Sequence, residues 1–195
     1  MNELIEKFSL ENVGKSSGVF NPEKLLWLNA HYIKEAKPES IAGLVQPFLE
    51  IRGCKDIDDG KLVMAVKTLQ ERSKTLLEMA EGGEFYFKDE ITYDENAVKK
   101  FFTTDKNIQG QAPDIKEPMQ KLVTKLKTLE PFSHDNIQKA FQEILDETGL
   151  KLGKLAQPVR VALTGKTVSP GIFEVMEVLG RGKVISRIEK SKEFV

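Results

Sequence analysis

Two arginines and one short loop are the residues of this sequence best placed to bind a ligand. Arg72 continues the helical spacing of Val66 and Leu69, so we predict that it lies at the edge of an apolar helix face. An arginine there buries its stem and presents its guanidinium at a groove between helices. Arg160 lies in a short helical segment that ends at a glycine, and the nearby run Ser169-Pro170-Gly171 is predicted to expose backbone N–H groups at a helix start. The alternatives are a surface arginine at position 72 and helix–helix packing at position 160.

The other reactive side chains form no recognisable catalytic or metal-binding pattern. His31 and His134 are far apart in the sequence, and Cys54 is the only cysteine, so neither a disulfide nor a complete zinc site is predicted. The runs Gly14-Lys15-Ser16 and Gly165-Lys166-Thr167 end like a phosphate-binding loop, but both lack the first glycine of that motif. The carboxylates are scattered over predicted helix surfaces. We therefore predict no catalytic residue and no metal ligand in this chain.

Composition and charge narrow the function classes. The chain has 195 residues, of which 40% are hydrophobic and 30% charged, so it can form one medium domain or two small ones. Its net charge of -1 argues against a general nucleic-acid binder, although from Lys151 onward nine basic residues face only four acidic ones, which allows a local basic face. A single cysteine, no signal peptide and no apolar run long enough to span a membrane predict a cytoplasmic protein.

Helical periodicity dominates the chain. Asn21-Pro22 is typical of a helix start, and the leucines around Trp27 predict that this tryptophan lies in the core. A second helix is predicted from Glu39 to Leu49, interrupted or kinked near Pro47. Asp58-Asp59 is predicted to begin one long helix that ends at Gly82-Gly83. The apolar stripe of that helix is Leu62, Val66, Leu69, Leu76 and Ala80.

The remaining segments predict more helices and one interruption. Residues 84–93 have no helical period and are predicted to form a connection with a short extended piece. Asp94 is predicted to cap the next helix, and residues 105–111 are predicted to form a polar loop. Near the C-terminus, Ser169 and Pro170 are predicted to begin a short helix that ends before Gly180. The predicted fold class is all-α, with two packed helical subdomains at residues 1–88 and 89–195.

Three stretches resemble the anticodon-binding half of bacterial glutamyl-tRNA synthetases. They occur in the family's order and together span nearly the whole chain. The first stretch has two parts, Phe8 to Ser16 and Val19 to Asn29. The second is Glu71 to Leu76, and the third runs from Gln157 to Gly165 and continues at Ser169-Pro170-Gly171. The resemblance implies an all-helical region that holds the anticodon loop of tRNA(Glu).

The resemblance also implies roles for particular residues. Arg72 matches the family arginine that reads the third anticodon base. Arg160, Ser169, Pro170 and Ile172 match positions that line the anticodon pocket, with Ser169 standing where some members carry threonine. Residues 84–115 vary more in the family, and no role is carried over to them.

The family's catalytic half is not found in this sequence. Neither histidine has the His-Ile-Gly-His context, and no Lys-Met-Ser-Lys-Ser-like loop is present, so the sequence is expected to be the tRNA-binding part of a longer ligase. The resemblance implies that the parent joins glutamate to tRNA(Glu) with ATP and Mg²⁺, which this part is expected not to bind. The expected partners are the anticodon loop and the catalytic domain of the same chain, in a monomer that contacts no membrane.

Two alternative functions stay open. One is a helical protein-interaction scaffold without tRNA binding, which would need an exposed apolar patch. The other is an independent enzyme, which would need a pocket of converging titratable groups.

Overall fold

The structure is a computed structural model that describes residues 2–14, 18–102 and 115–194. Its described residues form α-helices joined by short turns and contain no strand, which confirms the predicted all-α class. The helices are α1 Asn2–Lys7, α2 Pro22–Glu35, α3 Pro38–Ile51, α4 Asp59–Leu69, α5 Leu76–Gly83, α6 Glu95–Phe102, α7 Lys116–Thr128, α8 His134–Thr148, α9 Leu152–Thr164, α10 Ile172–Leu179 and α11 Arg181–Lys190. Four 3₁₀ turns lie at Leu10–Asn12, Gln70–Arg72, Glu84–Tyr86 and Ser191–Phe194. None of the helices in these ranges is long and apolar enough to cross a membrane.

Polar side chains cap the starts of two helices, α2 and α6. The Asn21 side chain accepts a hydrogen bond from the Lys24 N–H at the start of α2. Asp94 likewise accepts from the backbone N–H groups of Asn96 and Ala97 at the start of α6. These caps satisfy donors that have no partner inside the helix. Both predicted caps are therefore confirmed.

The long helix predicted from Asp58 to Gly83 is wrong. α4 ends at Leu69, a 3₁₀ turn follows, and α5 begins only at Leu76. Two polar side chains favour the break: Ser73 Oγ donates to the Leu69 carbonyl, and Thr75 Oγ1 accepts from the Glu78 N–H to cap α5. Such local hydrogen bonds compete with a continuous helix. Arg72 therefore lies in an exposed turn between two helices instead of on the edge of one.

Two smaller boundary predictions also change. α3 continues through Pro47 to Ile51 without interruption. α10 begins at Ile172, two residues after Pro170, so Ser169 does not cap it. Within residues 84–93 the structure has a 3₁₀ turn whose Phe85 and Tyr86 are buried, and the expected extended piece is not observed. The predicted polar loop at 105–111 lies outside the described residues.

A continuous apolar core joins most of the helices. α3 packs against α4 and α5, while α7, α8, α9, α10 and α11 pack around one another. α4 also contacts α10, so the core extends across position 88. The subdomain boundary at residues 88 and 89 stays a prediction.

The N-terminal part of the chain contributes little to that core. In α2 only Ile33 is buried, and the predicted burial of Trp27 is wrong, because 66% of this residue is exposed. Trp27 stacks on His31 with the ring planes 7° apart and the centroids 5.8 Å apart. Further large apolar residues are exposed in the same region: Leu4, Ile5, Phe8, Leu10, Val13, Val19, Phe20, Leu25, Leu26, Leu28 and Tyr32. We call this set, with Trp27, the N-terminal apolar surface.

Candidate nucleic-acid interface

Arg72 and Arg160 meet at one carbonyl group. Arg72 Nη1 donates to the Ser169 carbonyl oxygen at 3.0 Å, and Arg160 Nη1 approaches the same oxygen at 3.2 Å. The first contact joins residues 97 positions apart in the sequence, linking the turn after α4 to the loop between α9 and α10. The structure thus brings three of the sequence-predicted binding residues into direct contact.

Arg160 is the more buried of the two arginines. Besides Ser169 O, its Nη1 contacts Ser169 Oγ and donates to the Pro170 carbonyl at 2.7 Å. Burial, and then the positive charge of Arg72, lower the pKa of the Arg160 guanidinium from its usual value. Its Nε is buried and has no hydrogen-bond partner in the described part of the chain. Arg160 therefore fixes the loop backbone, whereas Arg72 is exposed to a ligand.

The loop residues differ in what they present to a ligand. Ser169 is partly exposed, and Pro170 is buried but lines the cavity described below. Ile172 is only 6% exposed and belongs to the apolar core. Its side chain therefore packs in the core and does not line a binding surface, although the family resemblance implies that it does. The helix start is also not free to bind an anion, because the Gly171 N–H donates to the carboxylate of Glu174 at 3.2 Å.

A cavity of about 310 Å³ opens beside this cluster. Arg72, Ser169 and Pro170 line it, and we call it the arginine cavity. Its other charged lining residues are Lys88, Lys166, Glu78, Glu81, Glu84 and Glu90. The cavity therefore has both signs of charge. A ligand with hydrogen-bond donors and acceptors matches such a lining better than a simple anion does.

Two further arginines of the basic C-terminal quarter, the buried Arg187 and the partly exposed Arg181, bind backbone carbonyls. Arg187 is 4% exposed, and its Nη atoms donate to the carbonyl oxygens of Leu163, Phe85 and Lys88 at 2.6, 2.8 and 2.7 Å. Burial lowers the pKa of Arg187 to about 10. Arg181 donates to the Leu129 carbonyl and pairs with Glu130. The predicted basic face over the last helices is thus reduced, because these charges hold backbone segments together.

Other groups named from the sequence are Cys54 and the two phosphate-loop lookalikes, one of which contributes Lys166 to the lining of the arginine cavity. Cys54 is 3% exposed, and burial raises the pKa of its thiol. Gly165 ends α9 in the left-handed conformation, with φ of +74°, so Gly165-Lys166-Thr167 is a helix end and not a phosphate loop. The other lookalike, Gly14-Lys15-Ser16, lies mostly outside the described residues. In the ranges that the structure covers, no three His, Cys, Asp or Glu side chains are grouped to hold a metal ion.

Sequence reasoning missed the lysines that line the cavity. Lys88 lies in the aperiodic segment after α5, and Lys166 follows the glycine that ends α9. Neither position belongs to a periodic pattern that could have predicted which way its side chain points. Only the packing of the C-terminal helices onto the first ones places these lysines near Arg72.

Comparison with known proteins identifies the family of this chain. The family model described as the anticodon binding domain matches residues 40–192. The chain belongs to the anticodon-binding domain family. This span contains Arg72, Arg160 and the Ser169 loop, and it confirms the family resemblance found in the sequence.

The relatives with this domain are glutamate–tRNA ligases. Those of Geotalea uraniireducens and Syntrophobacter fumaroxidans are 53% and 50% identical to this chain over 193 residues. In both cases the match covers 99% of this chain, which spans about 39% of the length of these relatives. The crystal structure of the glutamate tRNA ligase from Elizabethkingia meningosepticum, in complex with its amino acid, superposes with a TM-score of 0.85 at 27% identity. That superposition covers 98% of this chain and 36% of the other.

Proposed function

We propose that this chain binds the anticodon loop of tRNA(Glu) as part of a glutamate–tRNA ligase. The observation that carries the proposal is the meeting of Arg72 and Arg160 at Ser169, beside a cavity and within the span matched by the anticodon-binding family. Single-stranded loop bases are recognised on their Watson–Crick edges by side chains of this kind. The mixed lining of the arginine cavity supports base recognition, because base edges carry both donors and acceptors.

The catalytic chemistry is assigned to the part of the ligase outside this sequence. The parent is proposed to join glutamate to tRNA(Glu) with ATP and Mg²⁺, in the cytoplasm and as a monomer. This chain is proposed to bind no cofactor and to have no catalytic residue. The purified chain is expected to show no glutamate-dependent pyrophosphate exchange above a mock preparation; exchange that copurifies with it through successive columns would contradict this assignment.

The N-terminal apolar surface bears on the alternative function, a protein-interaction scaffold. This surface belongs to residues 4–32, before the matched span begins at residue 40. We propose that it packs against the remaining part of the same ligase. Support comes from the relatives, which are more than twice as long as this chain. An exposed apolar patch of this kind marks an interaction surface. A separate scaffold function is not needed to account for it.

Arg72 is proposed to select the third anticodon base. Glutamate and glutamine anticodons differ there, with cytidine in the first and guanosine in the second. The Watson–Crick edge of cytidine has two acceptors beside one donor, whereas that of guanosine has two donors beside one acceptor. A guanidinium has donors only, so it pairs with cytidine and leaves donors unpaired against guanosine. Such a mismatch costs about 1–3 kcal/mol.

Replacing Arg72 by Gln is expected to reduce the preference for the cytidine-ending loop, measured as the ratio of the two Kd values, by about tenfold or more. A difference of 1.4 kcal/mol in binding free energy corresponds to a factor of ten. A glutamine amide has both a donor and an acceptor, so it can pair with either base. The measurement is the Kd of two anticodon stem-loops that differ only at the third anticodon base. Lys74→Gln, at an exposed position two residues away, is the control and should leave the ratio unchanged. Equal binding of both loops by the wild type, or an unchanged ratio in Arg72→Gln, would reject this role.

A further inference from the structure

A second cavity adjoins the arginine cavity. It has a volume of about 460 Å³, and we call it the lysine cavity after four of the residues that line it, Lys55, Lys61, Lys88 and Lys183. Four acidic residues also line it, Asp56, Asp58, Asp89 and Glu90. Lys88 and Glu90 line both cavities. The two cavities therefore share part of one wall, and a strand that occupies the first lies next to the second.

Two of these lysines are already paired. Lys183 Nζ lies 2.9 Å from Asp89 Oδ1 and donates to the Lys88 carbonyl at 3.2 Å. Lys88 Nζ lies 2.9 Å from Glu84 Oε2, which also accepts from Arg52. These contacts hold the two ammonium groups in fixed positions on the cavity wall, with their charges partly balanced.

Among the described residues, the ammonium groups of Lys55 and Lys61 have neither an ion pair nor a hydrogen-bond partner, and Lys61 differs from the exposed Lys55 in its burial. Lys61 is partly buried and lies 5.9 Å from the centre of the Phe87 ring. Burial, and then the neighbouring positive charges of Lys183 and Arg187, lower the pKa of Lys61 by more than the nearby carboxylates of Asp58 and Asp89 raise it. An anion at this position would relieve both the lost hydration and the repulsion between these cations.

The acidic residues of the lysine cavity do not fill this place. Asp58 accepts from the Lys61 backbone N–H and caps α4. Asp89 is paired with Lys183, as described above. Asp56 and Glu90 are exposed. The cavity therefore has carboxylates nearby, yet none of them pairs with the Lys61 ammonium group.

We propose that Lys61 binds a backbone phosphate of the RNA strand whose bases occupy the arginine cavity. This proposal rests on the proposed function, since it supplies the RNA. A phosphate contact by a lysine adds affinity without regard to base identity, which separates its effect from that of Arg72. Lys88 and Lys183 line the same lysine cavity, each beside a carboxylate that partly balances its charge.

The test compares Lys61→Gln with Lys67→Gln in the 195-residue chain. Lys67 is an exposed lysine of the same helix, outside both cavities, and controls for the loss of one charge. The Kd of the cytidine-ending and guanosine-ending stem-loops is measured for each variant over a range of salt concentrations. Lys61→Gln is expected to weaken both loops by the same factor, about fivefold or more, and to reduce the salt slope by about 0.7, the value of one phosphate contact on a single strand. Lys61→Arg should restore much of the affinity, and thermal melts confirm that each variant is folded.

The outcomes separate this inference from the proposed function. If the wild type binds RNA but Lys61→Gln behaves like Lys67→Gln, the phosphate site is wrong and the RNA-binding function stands. If Lys61→Gln weakens only one of the two loops, the residue reads a base and the proposal is overturned. If inorganic phosphate stabilises the wild type through Lys61 while RNA affinity is unchanged in Lys61→Gln, the site takes free phosphate instead. A wild type that binds neither loop rejects both proposals.

Discussion

Replacing Arg187 by Met is expected to lower the free energy of unfolding by at least about 2 kcal/mol, because two of the three carbonyl oxygens that it binds are left without a side-chain donor, at about 1–3 kcal/mol each. The third, that of Lys88, keeps the Lys183 ammonium group as a donor. These carbonyls belong to Leu163, Phe85 and Lys88, so one guanidinium joins α11 to the end of α9 and to the turn after α5. The substitution also removes a buried charge, and the folded state no longer bears the free-energy cost of its lost hydration. The loss of the two hydrogen bonds to Leu163 and Phe85 outweighs that gain, since a buried carbonyl without a donor costs its desolvation penalty.

Urea unfolding followed by circular dichroism measures this effect. Lys190→Met, at an exposed position of the same helix, should change stability by no more than about 0.5 kcal/mol. Arg187→Lys should fall between the wild type and Arg187→Met, because an ammonium group keeps the charge but cannot span three acceptors as the fork of a guanidinium does. A Met variant as stable as the wild type would show that water or a shifted backbone satisfies these carbonyls.

Gly165→Ala is expected to destabilise the fold by at least about 2 kcal/mol more than Gly149→Ala, from the overpacking that only the first substitution causes. Both glycines end a helix in the left-handed conformation, with φ of +74° and +69°. A methyl group at 149 meets nothing within 4 Å and costs only the conformational penalty of about 1–2 kcal/mol. The Cβ at 165 would lie 2.1 Å from the Thr92 carbonyl oxygen, a backbone atom that cannot simply rotate away.

Thermal or urea unfolding of the two variants, analysed side by side, tests this difference. The Gly165 carbonyl also accepts from the Asp94 N–H at 2.8 Å, so displacement of this segment disturbs the start of α6 as well. If both variants lose the same free energy of unfolding, residues 92–94 move away from the new methyl group without cost. The close approach of position 165 to the Thr92 carbonyl would then not affect stability.

The sequence predicts structure well where one side chain determines one local feature. Asn21 and Asp94 cap helices as predicted, because an N-cap requires only a short polar side chain before the first turn. The prediction of one long helix from Asp58 was wrong because local side-chain hydrogen bonds also end helices. The apolar spacing of this segment is helical on both sides of the turn, and the hydrogen bonds of Ser73 and Thr75 that break the helix are easily overlooked within a strong 3.6-residue period.

Predictions that depend on the arrangement of distant segments were less successful. Trp27 has leucine neighbours in the sequence, yet α2 lies at the margin of the core and leaves it exposed. The C-terminal charge excess predicted a basic face, but only the packed structure shows that Arg181 and Arg187 bind backbone carbonyls. For the proposed binding site, Arg72, Arg160 and Ser169 were predicted from the sequence, whereas the proposal of Lys61 and Lys88 required the packing of elements far apart in the chain.

The turn that contains Arg72 is fastened to α2 by four polar contacts. The Gln70 amide donates to the carbonyls of Ile33 and Ala36 at 2.9 and 3.0 Å, Lys34 pairs with Glu71 at 2.7 Å, and Asn29 donates to the Lys74 carbonyl at 2.5 Å. These contacts join the turn that carries Arg72 to the helix that carries part of the N-terminal apolar surface. A ligand that displaces the backbone of this turn must either move α2 with it or break these contacts.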